Sequence, residues 1–106
     1  MTCQEEVDVV EVALEQTVYS TVPGRVGNWN ITRRVTLPAV PRAGDWVEPA
    51  NGWGLEPVRG TSFLADGPPV VALQPVATDD PARLEELDRL VTEHGWTQLG
   101  GPWRQQ

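Results

Sequence analysis

Lysine is absent from this chain. All eight basic residues are arginine, a bias that fits GC-rich coding better than any functional demand. Cysteine is nearly absent too: Cys3 stands alone, so no internal disulfide can form, and a reduced, cytoplasmic protein is expected. A lone thiol beside a terminus reads as inert rather than catalytic. No apolar run approaches the ~20 residues of a membrane-spanning helix, and the first residues are polar and acidic rather than leader-like. Histidine occurs once, at His94. A general base needs an orienting acid and a nucleophile, and a metal site needs further ligands at close spacing. The sequence sets neither around His94, which at the last turn of a helix serves to cap carbonyls. Positive charge is scarce, with eight bases against fifteen acids and a net charge of -7. Such a balance excludes a duplex nucleic-acid binder, which needs a positive surface to displace counterions, and leaves room for a cationic partner.

What is present argues for one domain over residues 1–106, a size that buries roughly two-thirds of the unfolded surface. The organising stretch is Asn28–Glu48. Trp29, Ile31, Val35 and Leu37 alternate with Asn30, Thr32, Arg34 and Thr36, the period of a half-buried strand. Pro38 and Pro41 stop it, Ala43-Gly44-Asp45 turns, and Trp46-Val47 begins the next strand. Before it, Val7–Val18 fits a strand or a helix, and its five valines and one threonine favour strand. Pro23-Gly24 joins the two as a hairpin. Leu55–Ala65 reads as a strand broken near Gly60, Asp66-Gly67 as a turn, and Val70–Ala77 as a strand with an edge or bulge at Pro75. A helix is expected over 80–94, with Asp80 as N-cap, Pro81 first inside and Gly95 closing it. Leu84, Leu87 and Val91 form its apolar stripe, and Trp96 is placed to cover Val91.

The acids Asp79, Asp80, Glu85, Glu86, Asp88 and Glu93 lack the ordered oxygen positions of a calcium loop, so no metal and no cofactor is expected. Arg33 falls among the apolar residues of its strand and must be paired, snorkel out or face a binding surface. Five tryptophans remain. Trp29, Trp46 and Phe63 are assigned to the core with the helix leucines. Trp53, flanked by Gly52 and Gly54, is expected to be partly exposed and to form a contact surface with Arg42 or Arg59. No phosphate loop, nucleophile elbow, paired-cysteine motif or helix-turn-helix occurs. The proline-rich turn entering Gly44-Asp45-Trp46-Val47 resembles one in SH3-like small barrels, over a span too short to carry a family or a function.

The expected fold is α+β: a strongly bent antiparallel sheet or small open β-barrel of about five strands, with one C-terminal helix packed on it. The leading expectation for function is a non-catalytic, acidic protein-interaction module, an accessory, regulatory or inhibitory subunit in a bacterial or phage setting. Its binding residues would be Trp53, Arg33, Arg34, Arg42 and Arg59, and no membrane is involved. A barrel binding single-stranded nucleic acid through Trp53, Trp29, Arg33 and Arg34 stands second. A small enzyme stands third. Arginines sharing one face with an exposed tryptophan would favour the second; a deep pocket holding His94 or Cys3 beside another polar group would favour the third.

Overall fold

The valine-rich segment is a strand. In a computed structural model of the protein, which describes residues 9–100, β1 spans Val10–Ser20 and β2 spans Gly27–Leu37. They pair antiparallel over their full lengths, from Val10 opposite Leu37 to Ser20 opposite Gly27. Alternation sends Val12, Leu14, Gln16 and Val18 to one face with Trp29 and Ile31, all of them buried. The other face carries Glu11, Glu15, Thr17, Asn30, Thr32 and Arg34, and the helix does not cover it.

Five shorter strands complete one open sheet: β3 (Trp46–Val47), β4 (Glu56–Ser62), β5 (Val70–Leu73), β6 (Val76–Thr78) and β7 (Thr97–Leu99). The order is β3-β4-β5-β1-β2-β7, with β6 also on β1. Among the described residues the sheet therefore has seven strands rather than about five, and it is mixed rather than antiparallel. The reason lies in Pro75. β5 and β6 are one apolar run that lies parallel to β1, and the run is interrupted at Gln74-Pro75. Residue 13 aligns with 70 but residue 18 with 76, so the interrupted run carries one residue more than β1 over this span. Such an insertion is a bulge, placed where proline has no N–H to give the ladder. The buried Gln16 fills the gap, donating from Nε2 to the Gln74 carbonyl at 2.8 Å. A second irregularity falls between Val58 and Gly60 in β4.

One helix, α1 (Pro81–Glu93), packs on the sheet. Asp80 caps it by accepting from the Ala82 N–H at 3.0 Å, and Pro81 opens it. Leu84, Leu87 and Leu90 are the buried stripe, with Val91 at its margin. Gly95, at φ 79°, takes the left-handed conformation that turns the chain out of the helix. Trp96 then folds back: its N–H reaches the Leu90 carbonyl at 3.1 Å, and its ring is buried. Arg25, just past the hairpin turn, clamps the helix through both carboxylate oxygens of Asp88, at 2.7 and 3.0 Å.

Two residues assigned to the core are outside it. Trp46 is 59% exposed and Phe63 73% exposed. β3 is only two residues long, and Val47 takes its core-facing position, so the period of two turns Trp46 to the uncovered side. Phe63 comes after the last residue of β4 and so lies in the connection beyond the sheet. No described helix is long and apolar enough to cross a membrane.

Candidate functional site

The described tryptophans divide by the element that carries each. Trp29 and Trp96 are buried. Trp96 also donates from Nε1 to the Pro49 carbonyl at 3.1 Å. Trp53 is half-buried, packed against the core margin with the His94 ring edge-on at 5.6 Å. It lines a polar cleft with Gly52, Glu56, Arg83, Glu86 and Arg89. Trp103 lies outside the described residues, as does Cys3. Trp46 alone presents most of its ring.

Trp46 borders an apolar groove. Leu37, Pro38, Ala39, Val40, Pro41 and Val47 line it, with Asp45 at its polar edge. Its shape follows from the sequence. The two prolines end β2 and deny the segment a ladder, so the chain crosses from β2 to β3 as irregular backbone, with Val40 and Pro41 turned inward. The turn is then held locally: Asp45 Oδ2 accepts from the Arg42 N–H at 2.9 Å, and Asp45 O accepts from the Val58 N–H at 2.8 Å. Thr61 donates from Oγ1 to the Pro41 carbonyl, fastening the segment to β4.

The five residues expected to act together are not brought together. Arg33 and Arg34 leave β2 from opposite faces. Arg33 donates from Nη1 to the Pro49 carbonyl at 2.9 Å, the same oxygen that Trp96 uses, so its charge among apolar neighbours is satisfied by backbone. The Arg34 side chain is 66% exposed on the uncovered face, and Glu11 stands 4.0 Å away. Arg42 and Arg59 are exposed and belong to the β3–β4 region, Arg59 two residues beyond Pro57, the register partner of Trp46. Neither arginine lines the Trp46 groove or the Trp53 cleft. Trp53 instead faces Arg83 and Arg89, which come from the helix. Its flanking glycines marked it as a loop residue, but only a long-range contact could reveal that the loop leans on α1. The one sequence signal that bears on Trp46 is Pro49, three residues on, which keeps the strand after Asp45 short; which of Trp46 and Val47 faces the core is set by the pairing with β4. Comparison with protein-family models, with curated proteins and with solved structures finds no match to this chain, so the chemistry of the Trp46 groove stands on its own geometry.

Proposed function

We propose that this chain is a non-catalytic protein-interaction module of the cytoplasm, acting as an accessory, regulatory or inhibitory subunit that docks a protein partner at the Trp46 groove. The observation that carries this is a tryptophan left 59% exposed beside a lining of leucine, valine and proline. Covering that ring would remove apolar area worth about 2–4 kcal/mol, before the costs of association are set against it. Tryptophan is enriched at the centres of binding energy, and the nearest arginine along the paired strand is Arg59, two residues beyond Pro57, the register partner of Trp46. The matching surface on the partner is an apolar side chain inserted between Pro38, Pro41 and Trp46.

The single-strand nucleic-acid alternative draws on Trp53, Trp29, Arg33 and Arg34, of which Trp29 is buried and Arg33 is bonded to the Pro49 carbonyl. It is less favoured, because Arg25 is held by Asp88 and Arg34 stands on the uncovered face beside Glu11, so the arginines form no continuous basic track.

Capture from source-cell lysate with wild-type, Trp46→Ala and Trp53→Ala baits tests the proposal, followed by calorimetry on the purified partner. Trp46→Ala should leave folding stability within about 1 kcal/mol of wild type and weaken the partner about thirtyfold. Trp53→Ala should retain the partner. Equal capture by wild type and Trp46→Ala would remove the groove as the docking site. Tryptophan quenching by single-stranded oligonucleotides that fades with salt would favour the alternative.

A further inference from the structure

The outer edge of β2 is only partly used. β1 pairs with the whole of Gly27–Leu37, whereas β7 pairs with Asn30–Thr32 alone. The groups left over follow from the ladder. Ala13 gives its N–H to the Pro69 carbonyl at 2.9 Å, on the β5 side. It therefore exchanges no bonds with Arg34, the residue opposite it on β2. A residue in such a pair turns its own N–H and C=O to the far edge. Arg34 does so, and Thr36, two residues along, does the same. Asn30 and Thr32 share that parity and meet Leu99 and Thr97 of β7. Among the described residues, no strand reaches Arg34 or Thr36 from outside.

The charges of Arg33 and Arg34 are the devices this stretch carries against edge pairing, and they favour an acidic strand over an apolar one. There is no proline before Pro38, no bulge and no lysine, and Val35 and Thr36 suit a strand. There is also room beside it. One cleft is bordered by Ala13, Thr32, Arg33, Arg34, Gly95 and Thr97, and the next by Glu11, Arg33, Arg34, Val35 and Thr36, so both reach from the edge onto the uncovered face over β1. Gly95, at φ 79°, precedes β7 and borders the same cleft without a side chain to fill it.

We infer that the edge at Arg34–Thr36 is a strand acceptor, which an extended segment of a protein partner extends antiparallel to β2 and in line with β7, with an acidic residue opposite Arg34. The backbone supplies two donors and two acceptors, the currency of strand addition. Charge complementarity selects the acid. The Arg34 side chain is 66% exposed and its ion pair with Glu11 is a long one, at 4.0 Å, so the arginine can turn from Glu11 to a carboxylate on the added strand, where opposite charges directly across a sheet attract. The chain's net charge of -7 opposes this only at long range, where salt screens it. A second copy fits less well. It would bring its own Arg34 edge rather than an acid, and like charges across a sheet repel. The mode differs from that of the Trp46 groove, since it needs backbone pairing and no apolar anchor.

The test is amide hydrogen exchange by NMR on the full chain, with the synthetic probe acetyl-Val-Thr-Val-Asp-Val-Thr-amide. Alone, the protein should exchange at Arg34 and Thr36 much faster than at Arg33 and Val35, whose amides face β1. The probe should protect Arg34 and Thr36. The same peptide methylated on the amides that face β2 should not. A lysine in place of the aspartate should weaken binding, and Arg34→Glu should reverse that preference, each change by about fivefold. Thr36→Pro removes an outward N–H without touching the β1 ladder, so it should abolish protection while the fold persists. Trp46→Ala should leave probe binding unchanged, which separates this site from the groove. Protection of Arg34 and Thr36 in the free protein, protection that rises with protein concentration, or probe binding indifferent to methylation would each overturn the inference.

Discussion

The clamp between Arg25 and Asp88 gives the sharpest test of how helix and sheet are joined. The two residues are 63 positions apart, one beside the hairpin turn and one in the middle of α1. Their side chains are 20% and 29% exposed, and both guanidinium nitrogens that meet the carboxylate do so within 3.0 Å. Exposed ion pairs contribute about 0–1 kcal/mol, whereas hydrogen bonds to charged groups sheltered from water contribute about 1.5–3 kcal/mol. Asp88→Ala should therefore cost about 2 kcal/mol, a shift of roughly 8–16 °C in Tm for a domain of this size. Arg25→Ala should cost about 3 kcal/mol. It also removes the guanidinium lying 5.6 Å over the Trp29 ring and the packing of its stem. The double variant should cost little more than Arg25→Ala alone, because the pair can be lost only once, giving a coupling of about 1–2 kcal/mol. Urea titrations followed by tryptophan emission measure all three, with an unchanged slope as the sign that only stability moved. Strictly additive costs, or a coupling below about 0.5 kcal/mol, would refute the clamp as a joint between the two layers.

Other substitutions read other parts of the fold. Leu87 is 3% exposed in the middle of the buried helical stripe, so Leu87→Ala should lower stability by about 2–5 kcal/mol; an unchanged urea midpoint would show that α1 does not dock by this face. Gln16→Leu keeps the volume but deletes the bond to the Gln74 carbonyl, and should cost about 1–3 kcal/mol in calorimetry. An unshifted melting temperature would mean that water serves that carbonyl equally well.

The most legible parts of the fold are those decided by neighbours in sequence. Asp80, Pro81 and Gly95 mark the helix because capping, proline tolerance and a left-handed terminus act within one turn. Pro23-Gly24 and the alternation of Asn28–Leu37 identify the first hairpin for the same reason. Pro75 announced an interruption, but not that both halves of the run would lie parallel to β1, because a strand's partner is chosen by burial far along the chain. Trp53 is partly exposed as its glycine-flanked loop implies, whereas Trp46, expected in the core, is exposed, for a related reason. Local sequence places each in or beside a loop, and only the assembled layers decide which ring finds a surface to lean on. The Arg25–Asp88 clamp had no sequence signal at all, since each residue alone looks like ordinary surface charge.

The placement of β1 has a consequence for how the chain folds as it is made. β1 and β2 can close as soon as they emerge, because only a short turn separates them. The other edge of β1 must wait for Val70–Thr78. At a synthesis rate of roughly 5–20 residues per second, that edge and the apolar face of Val12, Leu14 and Val18 stay open for several seconds. Loop closure over such a span is slow for parallel pairing. The nascent hairpin is thus a sticky, half-finished sheet, and the interval before Val70 emerges is when this protein is most in need of a chaperone.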